Sequence, residues 1–312
     1  MNLSGKQTGH CQKTIRTILF LLIFIMLFSG CSKSQKNLGT AQKVETLSAL
    51  PIMPTWASDN YMAPEWLLWP KADYSLPQNF YPWCGTVSHH QLTDKLIDTW
   101  FSEIKERRDV ENFFIICPSH FGLSCYDYSV AEVQWDCTNG KYVQSNLEIT
   151  GEIKNALDVQ ADNQMFTVEH GASTLMPYIK KYFPEAKVVV VAVVTEAPMN
   201  VPYAQKLAEV IEPYFNSKEK RQKDFLLIST DFSHHGTPEV TEVRDSHSMI
   251  FLQTPALENY VAASCDNRVG MYALAYIRKD STPAQILFHT NSWLLSGMDE
   301  EDVTSYFFTL ME

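Results

Sequence analysis

Six of the nine histidines fall in four short segments of the chain. His89 and His90 follow Thr86-Val87-Ser88, and His120 follows Pro118-Ser119. His170 follows Val168-Glu169, while His234 and His235 close the segment Asp231-Phe232-Ser233. Imidazole beside carboxylate or thiolate suits zinc, copper or iron. Three protein donors that leave a coordination position open make a reactive site rather than a structural one. An imidazole that does not bind the metal can act there as acid or base. A lone histidine in a turn is ordinarily a surface or hydrogen-bonded group, so the argument rests on the repetition across four segments.

Elements that alternate between strand and helix would position these groups. Residues 84–87, 112–117, 187–194 and 225–229 are short apolar runs of the kind buried in a sheet, and KVVVVAVV at 187–194 is the strongest. Residues 93–108 carry Leu96, Ile97, Trp100, Phe101 and Ile104 at helical spacing. Further helices are predicted over 147–159, 172–183, 203–214, 240–251, 257–264 and 268–277, with strands returning at 284–289 and 304–310. This order predicts a single α/β domain with a central, mostly parallel or mixed sheet covered by helices on both faces. Three of the histidine segments come directly after strand runs. In open α/β sheets ligand sites lie beyond the carboxyl ends of strands, so three remote segments are predicted to meet on one edge.

The N-terminus reads as an export signal. Lys6, Lys13 and Arg16 form a basic leader, residues 18–28 an apolar run, and Ser29-Gly30 a small-residue site before Cys31. The run is shorter than the roughly 20 residues of a membrane-spanning helix. A cysteine directly after the cleavage point predicts a lipoprotein, with residues 1–30 as signal peptide and 31–50 as lipid anchor and polar tether. More than one acyl chain on Cys31 would give a stable membrane anchor. Ser32 predicts sorting to the outer membrane where the bacterial envelope has two membranes. Residues 51–84 are rich in proline and aromatics without a period, and read as a segment that wraps the domain at 85–312.

Removing thirty of the 312 residues leaves about 280, enough for one large domain or two small ones. The chain is acidic, with a formal net charge of -11, and no extended basic run follows the leader, which disfavours a nucleic-acid partner. Five cysteines follow Cys31, an odd number, so at least one stays out of a disulfide. Cys125 with Cys137, and Cys84 with Cys117 if neighbouring strands carry them, are the expected pairs, which leaves Cys265 over.

The segments GTVSHH, CPSHFG, VEHGAST, STDFSHH and ASCDNRVGMYAL, followed by SGMDEEDVTSYF, occur in the order and spacing of MEMO-like proteins. The chain from Gly85 to Glu312 thus resembles that family, which includes protein B of the AmmeMemoRadiSam system and is related in fold to the LigB-like class III extradiol dioxygenases. The resemblance implies a pocket in which His89, His120 and Cys265 bind copper or iron, with zinc ranking behind them. It also implies that His170, Asp231 and His234 line the pocket as catalytic or supporting groups. Three positions depart from the family pattern: Ser88 stands where proline is common, Asp266 where glycine follows the cysteine, and Ser173 where an acidic residue is frequent. Asp245 is a further candidate pocket residue, His90, His235 and His289 read as neighbours, and His247 as part of a solvated helix face.

Three functional readings stay open on the sequence. One is a metal-dependent, dioxygenase-like oxidoreductase acting on a small aromatic molecule. The second is a non-catalytic module that binds metal or peptide. The third is a metal-dependent hydrolase, since zinc in such a site activates water.

Overall fold

The apolar runs become the centre of one sheet, and the alternation of their side chains assigns each residue to one of its two faces. The computed structural model describes residues 49–55, 64–122, 127–194 and 199–312. The leader, Cys31 and the tether up to residue 48 lie outside the described residues, as do Trp56 and Cys125.

In chain order the strands are β1 (Ile52–Met53), β2 (Cys84–Val87), β3 (Asn112–Ser119), β4 (Tyr128–Val130), β5 (Gln134–Asp136), β6 (Tyr142–Gln144), β7 (Lys187–Val194), β8 (Asp224–Ser229), β9 (Gln285–Asn291) and β10 (Ser305–Met311). The helices are α1 (Asp94–Arg107), α2 (Leu147–Leu157), α3 (His170–Ser173), α4 (Met176–Tyr182), α5 (Val201–Ile211), α6 (Lys218–Arg221), α7 (Pro238–Gln253), α8 (Arg268–Arg278) and α9 (Ser292–Ser296).

Seven strands form a mixed sheet in the order β4-β7-β3-β8-β2-β10-β9. The inner four, β7, β3, β8 and β2, are parallel. The outer pairings are antiparallel. β1, β5 and β6 make a small separate sheet.

Successive residues of β3 point to opposite faces, as a strand requires. Phe113, Ile115 and Cys117 pack with Leu96, Ile97, Trp100 and Phe101 of α1 and with Ile179 of α4. Phe114 and Ile116 pack on the other face with Leu207 of α5, Phe251 of α7 and Met271 and Leu274 of α8. Each fully buried apolar side chain of this size contributes about 1.5–3 kcal/mol, so the two covered faces supply the driving force for the whole domain. The sheet covered on both faces is the single α/β domain that the sequence predicts.

Several elements differ from expectation. The helix predicted over 172–183 is divided into α3 and α4, because Pro177 stands in the first turn of α4, where its missing N–H starts a helix more readily than it continues one. Residues 257–264 form a 3-10 helix over Leu257–Ala262 rather than an α-helix. The pairing of Cys84 with Cys117 is excluded. β8 lies between β2 and β3, and the two side chains belong to clusters on opposite faces of the sheet.

One buried amide ties the strand ends to the helix behind them. Asn267 is fully buried, and its Nδ2 donates to the carbonyls of Ile116 on β3 and Ser229 on β8, both at 2.9 Å. Its Oδ1 accepts from the Gly270 N–H at 2.8 Å and so caps α8. Replacing Asn267 with alanine removes the cap and strands two buried carbonyls, so Asn267→Ala is expected to lower stability by about 2–4 kcal/mol. Urea unfolding measures this, and an unchanged midpoint would contradict the role.

Candidate metal centre

The parallel strands deliver their polar tails to one place. β2 ends at Val87 and continues into Ser88-His89, β3 ends at Ser119 before His120, and β8 ends at Ser229 before Thr230-Asp231. Because β8 pairs with both neighbours in parallel, the carboxyl ends of the three strands lie side by side. His170 arrives from another direction as the first residue of α3, whose N-cap is Glu169.

These residues converge. Donor atoms of His89, His120 and His170 lie within 4.8 Å of one another, and so do those of His89, Asp231 and Asp266. The rings of His120 and His170 stack at 4.1 Å. Asp266 Oδ2 is 3.4 Å from His89 Nε2, 3.6 Å from His120 Nε2 and 3.9 Å from His234 Nε2. Asp231 Oδ2 is 3.8 Å from His89 Nε2.

Hydrogen bonds behind the rings fix which nitrogen faces the centre. Ser229 Oγ donates its only proton to the Gly171 carbonyl, so at 3.0 Å it must accept from His89 Nδ1–H. That leaves His89 Nε2 aimed at the two aspartates. His120 Nδ1 donates to Glu169 Oε1 at 2.8 Å, and the His120 backbone N–H donates to Glu169 Oε2 at 2.7 Å. Glu169 Oε1 also accepts from the Gly171 N–H, and a Cβ at Gly171 would come within 3.1 Å of that oxygen. A carboxylate that holds the back of an imidazole is the usual way to orient a metal-binding histidine.

The electrostatics divide the histidines by role. Burial works against charge on His120, but the flanking Asp266 and Glu169 carboxylates outweigh it and raise its pKa to about 10. His170 moves the other way: burial first, then the charges of His89 and His120, lower it to about 4. Burial disfavours charge on Glu169, yet its hydrogen bond with His120 outweighs this and holds it below the usual range. Asp231 is likewise held low against burial, by His89, His90 and His234.

The donor set fits a metal ion. His89, Asp231 and Asp266 have side chains 2%, 7% and 8% exposed, and a carboxylate taken out of water costs several kcal/mol unless a cation offsets it. Asp231 Oδ1, His234 Nε2 and Asp266 Oδ2 are buried without a hydrogen-bond partner, although each belongs to this cluster. Separations of 3.4–3.9 Å are close to what two donors about 2.0–2.1 Å from one tetrahedral ion must have.

Cys265 belongs to neither converging group. Its side chain packs against the apolar cluster over α7 and α8, and burial pushes its thiol up to about 12. Asp245 is engaged elsewhere, bound by His289 Nε2 at 2.7 Å and by the Ser305 hydroxyl at 2.6 Å. His90 pairs with the Tyr306 hydroxyl at 2.5 Å, His235 with Asp302 at 2.8 Å, and His247 is exposed. Asp266, Glu169 and Ser229 are the members of the centre to which sequence reasoning gave no role. Asp266 stood out there only as a departure from glycine, and Glu169 only as a neighbour of His170.

A cavity of about 950 Å³ opens beside the cluster, with His89 and His170 in its wall together with Trp66, Leu92, Thr174 and Met298. An α/β sheet with imidazoles and carboxylates gathered over its parallel strand ends, beside a cavity of ligand size, has the arrangement in which open sheets place ligand sites. Residues 90–303 match the Memo-like protein family, and the chain belongs to it. A MEMO1 family protein of Caldivirga maquilingensis is 22% identical over 231 residues, which cover 71% of this chain and 77% of the relative. A MEMO1 family protein of Pyrobaculum aerophilum is 24% identical over 134 residues, 43% of this chain and 46% of the relative. The seven-stranded mixed sheet accords with the fold that the sequence resemblance implies.

A metal-bound imidazole must give up its proton, and His120 holds that proton to about pH 10. Metal uptake at pH 7 is therefore expected to release about one proton per ion. Calorimetric titration in buffers of different ionisation enthalpy reads this directly, and heats that do not depend on buffer would contradict it.

Proposed function

We propose that this protein holds one copper or iron ion at the His89–His120 cluster and oxidises a small aromatic molecule in the adjoining cavity, as a lipid-anchored protein of a bacterial cell envelope. The observation that carries the reading is the direction of His89 Nε2. It faces Asp231 and Asp266 inside a buried cluster, where two carboxylates taken out of water call for a cation among them.

His89 and His120 would hold the ion, with Ser229 and Glu169 fixing their ring orientations. When bound, such an ion supplies the electron-transfer chemistry that the activation of dioxygen requires. His170 stays neutral at neutral pH because of its depressed pKa, so it can accept a proton from a hydroxyl presented in the cavity. Asp231 Oδ2 lies 3.8 Å from His89 Nε2 and His234 Nε2 3.9 Å from Asp266 Oδ2, and Arg244 Nη1 holds the His234 carbonyl at 2.5 Å. Trp66, Leu92 and Met298 give the cavity wall an apolar, partly aromatic character, and Asp299 and Asp302 add negative charge without a lysine or arginine among the described lining residues. That lining favours a neutral or cationic aromatic ligand over an anionic one.

The full chain, purified anaerobically in detergent, is expected to carry or take up about one copper or iron ion and to consume oxygen with catechol-type compounds. His170→Gln should keep the metal and lose turnover by about 100-fold or more. Metal bound without any turnover would favour the non-catalytic module, whereas hydrolysis supported by zinc alone would favour the hydrolase. No metal bound, and none taken up, would remove the reading.

The envelope assignment rests on the basic leader, the apolar run and the Ser29-Gly30-Cys31 junction. Cells fed a labelled fatty acid are expected to label the protein and retain it in the membrane fraction, and Cys31→Ala should lose both. Equal labelling of the variant would contradict a lipid anchor at this position.

A further inference from the structure

The structure assigns the third metal donor to the carboxylate of Asp266 and not to the neighbouring thiol of Cys265. This rests on the metal reading above and specifies it for this chain. The two residues are adjacent in sequence and both side chains lie beside Thr230, yet only the Asp266 donor converges with the histidine cluster. Cys265 packs into the apolar cluster around α7 and α8. Asp266 enters the histidine cluster, where its side chain is 8% exposed.

The carboxylate is held by one oxygen and presented by the other. Asp266 Oδ1 accepts from the Thr230 hydroxyl at 2.8 Å and from the Asp231 N–H at 3.1 Å. Asp266 Oδ2 has no hydrogen-bond partner and faces three imidazole nitrogens at 3.4, 3.6 and 3.9 Å. The backbone holds the position too, because the Asp266 N–H donates to the Asp231 carbonyl at 3.1 Å and the next residue is the buried Asn267. A buried, oriented carboxylate with one oxygen free and aimed at histidine nitrogens is a ligand poised for a cation.

The consequence is a change of metal class. Two imidazoles and a thiolate favour soft ions such as Cu(I), whereas two imidazoles and a carboxylate make the facial set used for Fe(II) with positions left open. The site is therefore built for Fe(II) or another divalent ion that accepts oxygen ligands, in preference to Cu(I).

Cobalt(II) reports the donor type through its absorption spectrum, because a thiolate ligand adds an intense near-ultraviolet charge-transfer band and a carboxylate does not. Cobalt(II) chloride is added to the metal-free full chain and to three variants, Asp266→Cys, Asp266→Asn and Cys265→Ser. The parent is expected to bind cobalt with visible ligand-field bands and no thiolate band. Asp266→Cys is expected to gain that band, which places the side chain of position 266 on the ion and which a merely structural role would not produce. Asp266→Asn is expected to lose more than about 100-fold in affinity, beyond the 10–100-fold typical of a residue that only orients a ligand, and Cys265→Ser less than about 3-fold on the same scale. A thiolate band in the parent overturns the assignment, and its loss in Cys265→Ser transfers the ligand to that thiol while leaving the metal reading intact. Unchanged affinity in Asp266→Asn, together with no band in Asp266→Cys, also overturns it. A parent that binds no cobalt, zinc or iron overturns the metal reading itself, and this assignment with it.

Discussion

Two carboxylates repel each other, and burying both out of water makes the repulsion worse. The centre of this protein is arranged around that constraint. Asp266 Oδ2 faces His89, His120 and His234 with no hydrogen-bond partner among the described residues, and Asp231 Oδ2 lies 3.8 Å from His89 Nε2. A cation in their midst would convert the repulsion into coordination. The proton retained on His120 up to about pH 10 offsets part of that charge. The hydrogen bonds behind the rings follow from the same requirement. Ser229 and Glu169 take the Nδ1 protons, so that the Nε2 atoms are turned inward.

The geometry is expensive, and the sheet underneath supplies the rigidity. The four central parallel strands are apolar on both faces and buried along nearly their whole length, so their carboxyl ends have little freedom to drift apart. Asn267 joins two of those ends to the first turn of α8 through three hydrogen bonds. Each such bond is modest, about 0.5–1.5 kcal/mol net, but together they fix the residue before Asn267 over the strand ends. Loss of the clamp would leave the strands intact and let the carboxylate move, so packing secures the fold while polar contacts secure the site.

Much of this was legible in the sequence, for reasons that also explain the gaps. The run at 187–194 coincides with β7 because seven consecutive β-branched or small apolar residues after Lys187 suit a strand buried on both faces. The histidine segments at 89, 120 and 231–235 were readable because each follows such a run, and strand ends are where open sheets place ligands. β4, β5 and β6 have three residues each, too few to show a period. Asp266 was seen only as an unusual neighbour of Cys265. It follows no strand, and its direction is set by contacts with Thr230, Asp231 and, through Asn267, Ile116 and Ser229, all remote in sequence. Local pattern carries the elements and the strand-end ligands. It does not carry the choice between two adjacent side chains when distant hydrogen bonds make that choice.

The central claim is that the inward-facing nitrogens and carboxylate form one coordination sphere, and anomalous diffraction from crystals of the protein grown with Fe(II) tests it most directly. The account predicts a single anomalous peak about 2.0–2.2 Å from His89 Nε2, His120 Nε2 and an oxygen of Asp266. A peak bonded to the Cys265 sulfur would contradict the donor set, and crystals with no peak at the cluster under saturating iron would contradict the metal centre.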